Sequence, residues 1–272
     1  MRSWQWGSIC FIPLAGLVGA QNLQFQNVIV DGPGAILHPH VKALGDIDLD
    51  GFIDVMAASS ADGNDGLVWY AYPDWTKHQI ATGSTYTTDM QVGDVDNDGD
   101  LDAIIPKGTN KGKSVWWYEN PVLPAGDPTT PWVEHHIGDA GAHDVEVGDV
   151  DNNGLLDVVV RIGTTTLFLQ TSPSAWSKIE ISTRPEERTA LGDIDGDGDL
   201  DVAINGYWLE NPLPAPGNMP SGQWTEHQVT SSQPSRVGAH IADINEDGFL
   251  DILYAPSESA RVGVTGWAPK RD

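Results

Sequence analysis

Residues 94–102 read DVDNDGDLD, and this stretch decides the fold. Aspartates hold its first, third, fifth and ninth positions, with glycine at the sixth. Alternate carboxylates converge when a chain wraps into a tight loop, and a glycine after the third of them permits the turn. The pattern recurs as DIDLDGFID at 46–54, DVDNNGLLD at 149–157, DIDGDGDLD at 193–201 and DINEDGFLD at 243–251. The five starts lie 48, 55, 44 and 50 residues apart. The chain is therefore an array of similar units.

Two further motifs flank each loop in a fixed order. One precedes it: FQNVIV at 25–30, WTKHQI at 75–80, WVEHHI at 132–137, WSKIEI at 176–181 and WTEHQV at 224–229. The other follows: VWYAYP at 68–73, WWYENP at 116–121, TLFLQTSP at 166–173, YWLENP at 207–212 and VTGWAP at 264–269. Each unit reads as four short strands: A before the acidic loop, B after it, C over the WYENP motif and D over W-x-x-H-x-I. Strand B is apolar throughout, as in Ala103–Ile105 or Val158–Val160, which predicts burial on both faces. Strand D alternates, with Trp132, Glu134 and His136 on one face. Four strands per unit of about 40–50 residues predict an all-β fold, a β-propeller of four-stranded blades.

The loop chemistry predicts calcium. Hard oxygen donors at this spacing suit Ca²⁺, which takes six to eight of them. The candidate ligands are Asp46, Asp48, Asp50 and Asp54; Asp94, Asp96, Asp98 and Asp102; Asp149, Asp151, Asn153 and Asp157; Asp193, Asp195, Asp197 and Asp201; and Asp243, Asn245, Asp247 and Asp251. The last carboxylate is an Asp three residues after the glycine, not the Glu of an EF-hand, and the flanks are strands. Asn153 and Asn245 keep a carbonyl donor but lose a charge, so weaker binding is expected in the third and fifth loops.

These GDxDxDGxxD units resemble the FG-GAP/VCBS repeats of integrin α-subunit propellers and many extracellular propellers, across residues 25–269. The WYENP and W-x-x-H-x-I motifs resemble more a microbial branch, which includes the propellers of fungal aldos-2-ulose dehydratases and rhamnose–glucuronate lyases. The resemblance implies up to five structural Ca²⁺ ions and a carbohydrate-related activity. Such propellers usually have seven blades, whereas this sequence supplies five units. Two expectations follow. Residues 25–30 complete the last blade and close a five-bladed ring, or the chain is a truncated seven-bladed propeller, the favoured reading.

Composition narrows the function. The chain of 272 residues carries 39 acidic against 14 basic residues, a formal charge of −25, which argues against binding nucleic-acid phosphates. Hydrophobic residues at 40 %, with 11 Trp, exclude a disordered acidic tail. The one cysteine, Cys10, excludes an internal disulfide framework. Residues 1–20 read as a secretory signal: Arg2 is followed by the short apolar run Ile9–Val18 and small residues at Val18 and Ala20. The expected product is a secreted, monomeric propeller spanning 21–272, with no membrane span.

Chemistry is expected at the end opposite the acidic loops, where the strand A starts converge. Aligned on the first Asp of each loop, the position six upstream holds His40, Thr88, His143, Glu187 and Val237. Five upstream stand Val41, Asp89, Asp144, Arg188 and Gly238, and three upstream Ala43, Gln91, Glu146, Ala190 and His240. Divergent polar residues at equivalent places point to an asymmetric ligand site. Lys107, Lys111, Lys113, Arg161 and Tyr207 join the same rim from the B–C loops, with Tyr86 and Arg184 from the D–A loops. By contrast, His78, His135 and His227 share a position that also holds Val28 and Ile179, so they read as packing residues between blades. The repeated Trp75, Trp132, Trp176 and Trp224 read likewise.

Two functions fit. The first is a saccharide lyase or dehydratase. Arg161 or Arg188 would neutralise a carboxylate, His143 or His40 would act as base, and Tyr86, Tyr207 or the other histidine as acid. An additional site metal, of unknown identity, would be held by His40 and His143. The second is a non-catalytic, calcium-stabilised module that binds a glycan or protein.

Overall fold

A computed structural model describes residues 27–32, 36, 39, 41–59, 66–108, 112–184, 188–212, 224–230, 237–256 and 266–268. The chain divides into two compact units, Met1–Val30 and Asp31–Asp272. Of the first, residues 27–30 are described and form no strand. Phe25 and Gln26 lie outside the described residues, as do the proposed signal segment, His38, His40, Lys111 and Glu187.

The second unit is all-β, built of antiparallel meanders in propeller-blade order. The first blade pairs β1 (Val41–Gly45), β2 (Asp54–Ala58), β3 (Leu67–Ala71) and β4 (Thr76–Ala81) in sequence. The second has β5 (Gln91–Gly93), β6 (Asp102–Lys107), β7 (Ser114–Glu119) and β8 (Val133–Gly138). The third has β9 (Asp144–Gly148), β10 (Asp157–Ile162), β11 (Thr164–Ser172) and β12 (Ala175–Ser182). The fourth has β13 (Ala190–Gly192), β14 (Asp201–Ile204), β15 (Tyr207–Glu210) and β16 (Thr225–Gln228). Among the described residues the fifth sheet has three strands, β17 (Val237–Ala242), β18 (Asp251–Pro256) and β19 (Gly266–Ala268). Each acidic loop is the hairpin between the first two strands of its blade. The inner strands pack in series, β1 on β5, β5 on β9, β9 on β13 and β13 on β17.

The core lies between blades, and the period of two in strand B explains why. Ala103 and Ile105 face the first blade, beside Met56, Trp69 and Ile80. Ile104 between them faces the third, beside Val158 and Phe168. Val159 in turn joins Val202, Leu209 and Trp224 of the fourth. A strand that must satisfy two neighbours has no polar face to spare.

Two contacts lock blade to blade beside the acidic loops. A Cβ on Gly93 would stand 2.5 Å from Leu156 Cδ2, and one on Gly148 would stand 2.7 Å from Leu200 Cδ1. Gly45 meets Leu101 in the same way at 2.7 Å, and Gly192 meets Leu250 at 3.3 Å. Each glycine before a loop thus seats the branched residue at the eighth position of the next loop. The second contact comes from the WYENP asparagine. Asn120 Nδ2 donates to Ile47 O at 2.9 Å and Asn211 Nδ2 to Val150 O at 2.9 Å, while Gln170 Nε2 reaches Val95 O at 2.8 Å.

Candidate metal loops and the opposite end

The five loops share one backbone path. The sixth-position glycines, Gly51, Gly99, Gly154, Gly198 and Gly248, have φ between 87° and 104°. The fourth position is left-handed too, at Leu49 (62°), Asn97 (61°), Asn152 (55°), Gly196 (80°) and Glu246 (59°). Sequence reasoning missed this second requirement, although Asn and Gly at three of the five positions signal it.

Amides then fix the carboxylates. Asp94 accepts from Asp98 N at 3.0 Å and Gly99 N at 3.1 Å. The same bonds recur at Asp149 from Asn153 N and Gly154 N, both 2.9 Å. The ninth-position aspartate is a hinge pin. Asp102 accepts from Val95 N at 2.9 Å through one oxygen and Asn120 N at 2.8 Å through the other. Asp54, Asp157 and Asp201 repeat this arrangement, and all four are fully buried or nearly so.

Four loops bring three carboxylates together, with oxygens within 4.8 Å of one another: Asp46, Asp48 and Asp50; Asp94, Asp96 and Asp102; Asp149, Asp151 and Asp157; and Asp193, Asp195 and Asp197. Loops one and four use positions one, three and five, whereas loops two and three use one, three and nine. Loop three needs no help from Asn153, whose side chain donates to Gln170 O at 3.1 Å. In loop five, Asn245 Nδ2 donates to Asp247 Oδ2 at 3.0 Å. The donor sets fit a hard divalent cation. Asp46 Oδ1 is buried with no hydrogen-bond donor, an oxygen a cation would satisfy. Burial, then repulsion from neighbouring carboxylates, raises the pKa of Asp48 and Asp96. Burial lifts Asp102 to about 8 and Asp157 and Asp201 to about 7, with amide bonds opposing it. Bound Ca²⁺ would remove that repulsion.

At the opposite end the inner strands gather a polar cluster. Thr88 Oγ1 lies 3.0 Å from the ring nitrogens of His143 and donates to its carbonyl oxygen at 3.0 Å. Asp144 Oδ1 stands 3.1 Å from His143 Nδ1 and 3.3 Å from Arg188 Nη1, and Arg188 N donates to Asp144 Oδ2 at 2.6 Å. Asp89 accepts from Val145 N and Met90 N, each at 3.1 Å, while Gln91 Nε2 donates to Val145 O at 3.1 Å. Burial, offset in part by those amides, raises Asp89 to about 6. Burial and the nearby Asp89 and Asp144 raise Glu146 to about 8. Four of the divergent polar residues, Thr88, Asp89, Gln91 and Asp144, therefore have a second task. They stitch neighbouring inner strands together through side-chain bonds to backbone.

The structure brings His143 and Arg188 together through Asp144, and His143 N donates to Arg161 O at 2.9 Å, but the side chains of Arg161 and Tyr86 are buried. His143 is buried (8 % exposed). Arg161 is fully buried, with its guanidinium on Thr165 Oγ1 and on Arg184 O at 3.2 Å, so it is no rim cation. Tyr86 is fully buried as well, its hydroxyl 2.9 Å from Tyr118 Oη. His40 lies outside the described residues. Tyr207 is covered by Arg184, whose guanidinium carbon sits 3.5 Å from the ring centre and which pairs with Glu226 at 2.7 Å.

The repeated histidines also differ from expectation. His135 stacks on Trp117 at 4.3 Å and meets Glu119 at 2.7 Å, and His227 does the same with Trp208 at 4.3 Å and Glu210 at 2.6 Å. They are half-buried on the outermost strands, not core residues between blades. The outer position leaves one ring face to solvent, which a repeat shared with Val and Ile does not reveal. The repeated tryptophans match expectation in three blades: Trp132, Trp176 and Trp224 each pack in the core shared with the preceding blade.

A family model described as FG-GAP-like repeat matches residues 46–105. A search of curated protein sequences gives no match. Among solved structures, the chain is similar to an Agrocybe aegerita lectin whose structure is described as the basis of specific recognition of non-reducing terminal N-acetylglucosamine. The TM-score is 0.53 at 14 % identity, covering 80 % of this chain and 60 % of the lectin. The chain therefore spans less than two thirds of that lectin's length, and the likeness is one of fold.

Proposed function

We propose that this protein is a calcium-stabilised β-propeller module that binds saccharide and performs no chemistry on it. The observation that carries the reading is the pairing of four convergent aspartate triads with a fold shared with a glycan-recognising lectin. The polar cluster at the other end supports binding over elimination. A lyase needs an accessible cation for the substrate carboxylate and an accessible acid. Arg161 and Tyr86 are buried, and Arg188 is paired with Asp144. The acidic protein also disfavours polyanionic substrates, so a neutral glycan is the better ligand.

Calcium's part is to hold the hairpins; the residues that hold it are the four triads. An extracellular setting, suggested by the signal-like residues 1–20, fits loops of this kind, since extracellular calcium modules bind at about 10⁻⁴–10⁻³ M. The test is a glycan array probed with the purified chain in calcium and in chelator, beside absorbance near 235 nm after incubation with uronate polysaccharides. Calcium-dependent binding with a flat absorbance trace is expected. A rising trace would replace this reading with the lyase.

A further inference from the structure

Around its acidic loop the first blade differs from the second, third and fourth, and three aromatic rings stand together there at the surface. Tyr72 stands where the second, third and fourth blades carry Asn120, Gln170 and Asn211, the side chains that reach the preceding blade. Phe52 stands where the next three loops carry Asp100, Leu155 and Asp199, at the seventh position, and only the fifth loop repeats the ring, as Phe249. Trp75 matches Trp132 and Trp224, which are 6 % and 3 % exposed. Trp75 is partly exposed, as Trp176 is, and is the one of these four that is left-handed, at φ 57°.

The rings form one group. Phe52 and Tyr72 have centroids 5.3 Å apart at 31°, and Tyr72 meets Trp75 at 5.3 Å edge-on. Phe52 is 55 % and Tyr72 40 % exposed. Both hang from loop one: Phe52 N donates to Asp50 Oδ1 and Tyr72 N to Asp54 Oδ1, each at 2.9 Å. Asp74 is exposed in the turn between Tyr72 and Trp75. A tyrosine here is not the device by which blades lock, since that device is an amide. Flat rings beside carboxylate acceptors are instead the chemistry that receives a sugar, whose C–H face stacks on π surface while its hydroxyls donate hydrogen bonds. The surrounding acid disfavours an anionic sugar.

We propose that Phe52, Tyr72 and Trp75 form a stacking platform for a neutral pyranose, with Asp74 accepting from its hydroxyls. This rests on the glycan-binding reading and locates its site.

The probe is the N-acetylglucosamine trimer, titrated into the full chain in calcium buffer by calorimetry and tryptophan fluorescence. Tyr72→Ala and Phe52→Ala should each weaken binding about tenfold or more. Tyr72→Phe should retain most of it, and Trp75→Phe should abolish the fluorescence change. Phe249→Ala, at the matching exposed position of loop five, should leave binding unchanged. Melting temperatures measured alongside should stay level for Tyr72→Ala and Phe52→Ala. If the trimer binds wild type and Tyr72→Ala equally, the platform is wrong and the function reading survives. If wild type binds neither the trimer nor any glycan on an array, both fall. If Tyr72→Ala alters sedimentation but not trimer affinity, the rings serve self-association and the platform is likewise overturned.

Discussion

The acidic-loop end and the opposite end of the blades are built on different logic. At the loop end the same side chain does the same task in unit after unit. Asp54, Asp102, Asp157 and Asp201 all accept two backbone amides while fully buried or nearly so. At the other end the side chains differ from blade to blade apart from Asp89 and Asp144, which share a position and each accept a backbone amide of the next blade. Thr88 reaches His143 of the third blade, and Asp144 also pairs with Arg188 of the fourth. Stability that depends on a cation can be repeated, because each loop satisfies itself. Repeating charged groups there places like charges side by side, as Asp89, Asp144 and Glu146 are, which opposes repetition around every blade.

The largest effect expected from this contrast is that of calcium removal. A site at one hundred times its dissociation constant contributes about 2.7 kcal/mol, so four triads together contribute on the order of 10 kcal/mol. Chelation should lower the thermal midpoint steeply, and calcium titration should restore it. An unchanged midpoint would mean that the amide bonds alone hold the loops.

Next in size is the lock between blades. Gly93→Ala places a methyl 2.5 Å from Leu156 Cδ2 and should cost about 1–3 kcal/mol. Leu156→Ala should relieve part of that cost in the double variant, a coupling that denaturant unfolding measures directly. Strict additivity would show that glycine serves the backbone there and not the leucine. The fifth unit already carries Ala242 at this place.

The opposite end is probed by Glu146→Gln. Glu146 holds its proton up to about pH 8 when folded, against an ordinary value of 4.5, because burial and the carboxylates of Asp89 and Asp144 oppose its charge. Arg188 and His143 complete the charged and titratable surroundings through Asp144. A pKa raised by folding means that stability is full in acid, falls as pH climbs from about 4.5, and levels off above about 8. Glutamine should therefore stabilise by about 1–2 kcal/mol at pH 8.5 and by nothing at pH 4. Equal effects at both pH values would place the benefit in packing, not charge.

The fold was legible because repetition separates what every blade needs from what one blade happens to carry. DxDxDGxxD located the hairpins, and the apolar strand B located the core on both of its faces. The individual rim residues were not legible. Arg161 and Tyr86 sit on the sequence segments predicted, yet their side chains turn inward, to Thr165 and to Tyr118. Direction at a strand end depends on which neighbour offers a partner, and for Tyr86 that neighbour, Tyr118, is 32 residues away in the chain. The glycine–leucine lock escaped notice for the same reason: each half looks unremarkable until the blades are placed together.

The smallest expected effect returns to the first blade, which departs from its neighbours inside the loop as well as beside it. Leu49 adopts φ 62° where the second and third loops use Asn97 and Asn152 at 61° and 55°. The left-handed region costs a branched aliphatic residue roughly 1 kcal/mol, and Asn tolerates it far better. Leu49 is 45 % exposed, so little packing is lost on replacement. Leu49→Asn should therefore raise stability by about 0.5–1 kcal/mol, read as a higher melting midpoint in calcium. The gain should persist in chelator if the strain is purely backbone. If it appears only with calcium, the first loop reaches its left-handed path through the ion. If stability falls, the Leu49 side chain holds a contact that the other loops lack, and loop one differs from the rest in packing and not only in strain.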